Sequence, residues 1–411
     1  MRRVDRWIGA PLCFLLTIVR RLDDLVLRRS PNPSPKRIAV LKLAEQGATV
    51  LAYSALLKAR TMVGADNVFF VVFAQNRFIL DLLDVVPDAN VISIRADGLV
   101  RTAIDTLRAV FRMRREGIDA TVDFEFFARS SAILSYLSGA RARAGYHAHF
   151  GEGSYRGDLM THRLSFNPFL HAAEMFQVLV DAVRRPAGDF PAFDLSPPED
   201  EPLPRFRPEA GERAEVEEML REALGTDALP PVVLLNANCG DLLPLRRWAD
   251  ERYVELAHRL LERYPDLRIV LTGAPDEAAG ARALADRIAH DRCISFAGRT
   301  TLRQLMILYD LAELMVTNDS GPAHYSTLTS IDVITLFGPE TPAVFGARTP
   351  RSHILWAGLV CSPCVNAFND RQSACRRNVC MERITVDEVF DVACRVFETR
   401  RSTADERSVA T

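Results

Sequence analysis

The stretch "ELMVTNDSGPAHYSTLTSIDVITLFG" (313–338) decides the fold. Its first seven residues, 313–319, run from Glu313 through apolar Leu314, Met315 and Val316 to a polar end and read as a buried strand. "DVITLFG" (332–338) reads as a second strand. Between them "GPAHYSTLTS" (321–330) reads as a helix entered through Pro322, a residue favoured in a first helical turn. Strand, helix, strand is a crossover, and crossovers join parallel strands. The polar block "TNDSGPAH" (317–324) falls where strand gives way to helix. There the N–H groups of Ser320 and Gly321 would be free at a helix N-terminus, a geometry that binds phosphate. Gly321 lets a ligand approach the backbone. Asp319 or Ser320 could cap the helix, and His324 follows one turn on. Ordinary capping with a surface histidine is the plain alternative.

Outward from this stretch the same alternation continues. Upstream in the second half, strands are expected at 231–238, 267–273 and 293–298, with helices at 250–264, 276–289 and 301–312. In the first half, strands are expected at 37–43, 67–74, 90–94 and 118–125, with helices at 47–61, 76–84 and 99–117, the last ending at Gly117. A segment dense in proline and acid (186–209) reads as a linker between an N-terminal domain (36–185) and a C-terminal domain (210–400). The fold class is α/β, two successive domains with parallel sheets, and such domains bind ligands at the carboxyl ends of their strands.

A chain of 411 residues suits two domains of usual size. Its 48% hydrophobic and 25% charged content is that of a globular protein, and a formal net charge of −2 gives no electrostatic case for nucleic acid. The N-terminal segment 1–35 stands apart. "WIGAPLCFLLTIV" (7–19) lies between Arg2, Arg3 and Arg6 on one side and Arg20 and Arg21 on the other. It is too short to span a bilayer, which takes roughly 20 residues, and no small-residue cleavage site follows it. Leu22, Leu25 and Val26 continue its apolar face at helical spacing. Two readings stand: an interfacial helix with Trp7 and Phe14 at the lipid boundary, or a helix packed on the protein's own surface. "SPNPSPKR" (30–37) is a Pro-rich break after it, and the tail 401–411 is expected to be disordered.

The block Asp319, Ser320, Gly321, His324, followed by the turn Phe337, Gly338, Pro339, Glu340, resembles the signature of glycosyltransferase family 9, the ADP-heptose:lipopolysaccharide heptosyltransferases. "LLNANCGDLLPLRRWADERYVELAHRLL" (234–261) is similar to the family's phosphate-proximal loop, with Arg246 shortly before Trp248. "RIAVLKLAEQGATVLAYSALLKAR" (37–60), "RIVLTGAPDE" (268–277) and "FAGRTTLRQLMILYDLAELMV" (296–316) also fit. The resemblance implies a GT-B fold of two facing Rossmann-like domains. It implies an inverting transfer, without a catalytic metal or other cofactor, from a nucleotide-diphosphate sugar to a glycolipid or glycan acceptor such as a lipopolysaccharide precursor. The setting would be the cytoplasm, at the inner face of the cytoplasmic membrane. By the same resemblance Arg246 and the amides of Ser320 and Gly321 would hold the diphosphate, Asp319 and His324 would shape the donor site, and Asn236 and Asn238 would add donors.

The chain departs from the family at the first loop. Heptosyltransferases carry Gly-Asp there, and the Asp is their expected base. Here Gly47 is followed by Ala48, which cannot take a proton. Glu45 in the same loop is the candidate replacement, against the plain alternative of a solvated carboxylate. Asp123 or Glu125, ending strand 118–125, comes second. On the acceptor side Glu125, Arg129 and Ser130 are candidates, while Arg141 and Arg143 are expected to be solvated. A non-catalytic relative that binds nucleotide sugar or organises partners at the membrane is the alternative function.

Cys361, Cys364, Cys375 and Cys380 crowd one short segment. Four thiols at this spacing suit a structural zinc, an iron–sulfur cluster or disulfides, with unligated thiols as the plain alternative. Cys239 lies near the expected donor site and could be reactive or simply buried.

Overall fold

The computed structural model describes residues 5–27, 34–240 and 243–409. Arg2, Arg3 and the first half of the Pro-rich break at 30–37 lie outside the described residues, as do the last two residues of the chain. The chain divides into two compact units, Met1–Pro202 with Val365–Ser373, and Leu203–Cys364 with Ala374–Thr411. The division at 202/203 falls inside the proline- and acid-rich stretch. The Cys-rich segment, expected wholly in the C-terminal domain, gives its middle part to the first unit.

The first unit holds a six-stranded parallel sheet in the order β3-β2-β1-β4-β5-β6. Its strands are β1 (Ile38–Leu41), β2 (Val68–Phe73), β3 (Val91–Ile94), β4 (Ala120–Asp123), β5 (Ala142–Tyr146) and β6 (His162–Leu164). The second holds β12-β11-β10-β7-β8-β9, built from β7 (Val232–Asn236), β8 (Arg268–Leu271), β9 (Cys293–Ser295), β10 (Leu314–Asn318), β11 (Asp332–Phe337) and β12 (Ser352–Trp356). Numbered within its own unit, each sheet has the doubly wound order 3-2-1-4-5-6. The central strands β1, β4, β7 and β10 are buried along their whole length, because helices cover both faces of a parallel sheet.

Two expected helices differ. The one expected at 47–61 is two, Gln46–Leu51 and Tyr53–Val63, joined at Ala52. The one expected at 321–330 stops at Tyr325 and gives way to a 3-10 turn, Ser326–Leu328. Hydroxyls explain the stop. Ser326 Oγ donates to Ala323 O (3.2 Å) and Thr329 Oγ1 to Ser326 O (2.7 Å), taking carbonyls that a longer helix would use. At the C-terminus the helix Val386–Val409 runs through most of the stretch expected as a tail.

The N-terminal segment is a π-turn (Asp5–Gly9) followed by the helix Ala10–Leu27. Cys13 and Leu16 pack with Ala132, Leu159 and Met160 of the first unit. Arg20 Nη2 meets Asp158 Oδ2 at 2.5 Å, and Thr17 Oγ1 accepts from Asp158 N at 2.8 Å. The approach needs Gly157: its φ is +69°, and a Cβ there would meet Cys13 O and Thr17 Oγ1 at 2.6 Å. One face of the helix is therefore packed on the protein itself, while Phe14, Leu15, Leu22 and Leu25 on the other are exposed.

Candidate active site

In a doubly wound sheet the carboxyl ends of the two strands at which the order reverses splay apart, and ligands bind there. In the second unit those strands are β7 and β10, paired with Thr317 beside Asn236. Asn318 stitches their ends together. Its Nδ2 donates to Ala237 O (3.0 Å) and Asn238 O (3.3 Å), and its Oδ1 accepts from Trp248 N (3.0 Å). Trp248 is fully buried, donates Nε1 to Ile384 O (2.9 Å) and takes the ring of Tyr253 edge-on. Asn318 was not among the sequence candidates. Its signal is its place between a strand's last apolar residues and Asp319.

Around this anchor lie the expected donor-site residues. Arg246 Nη1 donates to Asp319 O (2.8 Å) and lies 3.5 Å from both Asp319 Oδ2 and Glu340 Oε2. Burial disfavours its charge, but the two carboxylates outweigh that and hold the guanidinium above its ordinary value. All its contacts among the described residues run through Nη1, and Nε is buried without a partner. Arg246 is thus a clamped cation with donors unspent. Glu340, quoted from sequence only as a turn residue, completes the clamp.

Ser320 occupies the helix N-cap position in an extended conformation, yet neither it nor Asp319 caps the helix. Ser320 Oγ turns back to Asn318 O (3.1 Å) and Thr317 Oγ1 (3.3 Å). The helix Gly321–Tyr325 has only five residues, so its dipole is slight. The N–H groups of Ser320 and Gly321 make no hydrogen bond among the described residues, and both residues are partly open to solvent. His324 is buried, not on the surface. Burial pulls its pKa down, Asp319 opposes this and Arg246 adds to it, so the ring is neutral at pH 7; its Nδ1 has no partner among the described residues.

Asn236 is satisfied locally: its Oδ1 accepts from Asn238 N (3.3 Å) and its Nδ2 lies 3.5 Å from Thr272 Oγ1. Asn238 borders a small cavity of about 50 Å³ with Thr272, Arg247 and Asp250. Cys239 is buried with its thiol pushed up by burial, so it is not the reactive cysteine that its position suggested.

In the first unit the reversal lies between β1 and β4, where Leu41 pairs with Asp123. Lys42 follows β1 with no exposed side-chain surface, and its Nζ lies 3.1 Å from Glu125 Oε2 and 3.3 Å from Glu45 Oε2. Burial pulls the Lys42 pKa down, with Glu125 opposing. Glu125 Oε1 accepts from Leu43 N (2.8 Å) and Ala44 N (2.9 Å), so this carboxylate shapes the loop that carries Glu45. Glu45 itself adopts a left-handed backbone, φ 69°, and its other oxygen pairs with Arg371. Ala48 is buried in the following turn.

Arg371 belongs to Val365–Ser373, the part of the Cys-rich segment that joins the first unit. That loop is held by Phe368 against Phe166 (5.2 Å, edge-on) and Phe127 (6.1 Å), while the Arg371 guanidinium lies over the Phe126 ring at 5.9 Å. Nothing in local sequence pairs Arg371 with Glu45.

Three expectations for this unit change. Asp123 is fully buried, held by Arg156 and by Ser131 Oγ (2.9 Å), and burial raises its pKa; it is a structural hub rather than an accessible base. Arg129 and the Ser130 amide hold the N-terminal segment. Arg129 Nη1 meets Asp5 Oδ2 (3.3 Å), its Nε donates to Tyr155 O (2.7 Å), and Ser130 N donates to Asp5 Oδ1 (2.8 Å). Arg143 is buried, not solvated, and donates to Leu159 O (2.7 Å) and Ala140 O (2.5 Å); burial pulls its pKa down to about 10. As for the clustered thiols, Cys361 and Cys375 are exposed and Cys380 is buried, and among the described residues no group of three or more His, Cys, Asp or Glu side chains is placed to hold a metal ion.

The model of glycosyltransferase family 9 (heptosyltransferase) matches residues 112–374. Lipopolysaccharide heptosyltransferase 2 of Salmonella typhimurium is 35% identical over 102 residues, 24% of this chain and 29% of that one. Lipooligosaccharide heptosyltransferase 2 of Haemophilus influenzae is 32% identical over 103 residues, again 24% and 29%. The chain thus spans 29% of the length of these curated relatives. Among solved structures, ADP-heptose lipopolysaccharide heptosyltransferase II of E. coli aligns with a TM-score of 0.64 at 17% identity, covering 89% of this chain and 99% of that one. A family 9 glycosyl transferase from Veillonella parvula aligns with a TM-score of 0.67 at 15% identity, covering 90% and 99%.

Two doubly wound units with polar residues at both reversal points, aligned with those structures over most of the chain, define a protein of the GT-B class. With the family model matching well over half of its length, the chain belongs to glycosyltransferase family 9 (heptosyltransferase).

Proposed function

We propose that the protein is an inverting, metal-independent glycosyltransferase that moves a sugar from a nucleotide-diphosphate sugar resembling ADP-heptose to a lipopolysaccharide or related surface-glycan precursor, at the cytoplasmic face of the membrane. Family membership supports the reaction class. The observation that carries the site is Arg246, clamped by Asp319 and Glu340 with donors unspent, beside the unpartnered amides of Ser320 and Gly321.

In this reading an acceptor hydroxyl oxygen attacks the anomeric carbon from the face opposite the diphosphate. The bond to the diphosphate oxygen breaks, its electron pair leaves with the diphosphate, and the configuration inverts. The hydroxyl proton passes to Glu45. Arg246 and the two amides stabilise the charge that grows on the leaving group, as charge-assisted hydrogen bonds do best. Neutral His324 adds a polar group without adding charge. Asp319 and Glu340 keep the guanidinium ionised and aimed.

Purified protein, incubated with ADP-heptose and a lipopolysaccharide precursor, is expected to yield a product of opposite anomeric configuration by NMR, at a rate unchanged by EDTA. Arg246→Ala is expected to lower kcat by about 10²–10³-fold, the usual cost of one transition-state donor. Loss of activity in EDTA would remove metal independence from the reading. A non-catalytic sugar-nucleotide binder is the alternative reading. Donor binding by thermal shift without transfer to any acceptor would establish that role instead.

A further inference from the structure

The helix Leu99–Arg115 has two apolar faces. Ala109, Val110 and Met113 face the core of the first unit. On the opposite side Val100, Ile104, Leu107 and Phe111 form a stripe at spacings of four, three and four residues, and all are exposed, Val100 to 74% and Phe111 to 69%. A surface helix ordinarily turns polar residues outward. The outer face of Ala10–Leu27 shows the same anomaly, with Leu15, Ile18, Leu22 and Leu25 exposed, Leu25 to 76%, and with Trp7 just before the helix 77% exposed.

These two helices flank a third, Arg129–Leu137. Arg114 Nε donates to Leu137 O (2.8 Å) from one side, and Cys13 packs on Ala132 and Tyr136 Oη meets Asp23 (3.4 Å) from the other. Both stripes therefore belong to one helical layer on one side of the sheet.

Charge says what covers them. The chain as a whole carries −2, yet Leu99–Arg115 holds five arginines against one aspartate, and residues 1–29 hold seven against three. Arg101, Arg108 and Arg115 are largely exposed and, among the described residues, pair only with Asp97, Asp105 and Glu116, on or beside their own helix. Such surface pairs are weak and exchange readily for other anions. A second copy docking through the same face would set like charge against like, as a two-fold contact must. Apolar stripes with aromatic edges and flanking arginines match the interface of an anionic bilayer. No helix among the described residues is long and apolar enough to cross a membrane.

We propose that the helices Ala10–Leu27 and Leu99–Arg115 together form a docking surface for an anionic phospholipid bilayer, lying on it and not through it. The inference deepens the proposed function, which supplies its purpose, the capture of a lipid-linked acceptor. Its existence does not depend on catalysis.

The test is flotation of the full chain with phosphatidylglycerol-containing vesicles and with phosphatidylcholine vesicles. Binding to the anionic vesicles alone, weakened by salt, is expected. Leu22→Glu with Leu25→Glu, and separately Val100→Glu with Phe111→Glu, should each lower vesicle affinity by about tenfold or more. All four side chains are exposed, so melting temperature and donor binding should hold. No binding to anionic vesicles overturns the proposal. Loss in the first variant with full binding in the second overturns the two-helix surface. A wild-type dimer that these substitutions convert to monomer assigns the face to a second copy instead. Vesicle binding by a protein that transfers no sugar would sink the functional reading and leave this surface standing.

Discussion

The two reversal points spend their charge differently. At β1/β4, Lys42 and Arg371 meet Glu45 and Glu125, two cations against two carboxylates, and both oxygens of Glu45 are engaged. At β7/β10 one guanidinium faces two carboxylates, and the amides and the imidazole nitrogen beside it have no partners among the described residues. The first cluster is neutralised from within. The second keeps donors in reserve, which is the condition for receiving an anion. The contrast matches a division of labour in which the second unit holds the leaving group and the first handles a proton.

The strongest way to break that contrast is Glu45→Gln. If Glu45 takes the proton, kcat falls by about 10²–10⁴-fold while donor KM holds, the range for a lost general base. Arg371→Ala separates the alternatives further, since it releases one oxygen of Glu45 without removing the carboxylate. A lower melting temperature with unchanged kcat in both variants would make the cluster a structural one and hand the base to another group.

A smaller effect tests the second unit. A Cβ on Gly321 would meet the Tyr325 ring at 2.9 Å, and that ring is buried and stacked on Tyr309. Gly321→Ala should cost about 1–3 kcal/mol by overpacking, read as a lower urea midpoint at unchanged slope. Ala48→Gly, in the first turn of a helix in the other unit, should cost about 0.5–1 kcal/mol through chain entropy alone. No loss in Gly321→Ala would mean that the Tyr325 ring yields and that the glycine is not there for space, since its backbone is not in the left-handed region.

The same contrast explains what the sequence disclosed. Apolar runs alternating with helical spacing point to parallel sheets wherever the strands are β-branched, as in β2 or β10. They fail at β5, "ARAGY", whose alanines and glycine carry little strand preference although every residue of it is buried. Asp319, Ser320 and Gly321 were legible because they lie just beyond β10, where the doubly wound order places a ligand, whereas Arg246, in a 3-10 turn well past β7, was legible only through the family resemblance. Arg371 was not, because it comes from a loop that belongs to no strand of the sheet it serves and is held there by ring contacts of Phe368. Arg129 was misread for the same reason: its partner, Asp5, arrives from a helix outside the repeat. Long-range pairing leaves no local period.

The smallest expected effect concerns pH. His324 is neutral in the folded protein because burial lowers its pKa below the ordinary 6.5, with Asp319 pulling the other way. The unfolded chain takes up a proton as pH falls through that ordinary value, and the folded chain does not. The unfolded state then binds more protons, so stability is full above the unfolded pKa and declines as pH drops below it. The decline ends only once the folded value is passed. His324→Gln should flatten this slope between about pH 7.5 and 5.5, measured as the difference in urea stability at the two ends. The flattening should be partial, because burial lowers His147, to about 4, and His162 in the first unit as well. Their slopes have the same sign and survive the substitution. If the His324→Gln slope equals that of the wild type, His324 takes up its proton at the same pH in the folded and the unfolded chain. Below that pH a cation would then stand beside Asp319 and Arg246, and the cluster at β7/β10 would be neutralised from within like the one at β1/β4.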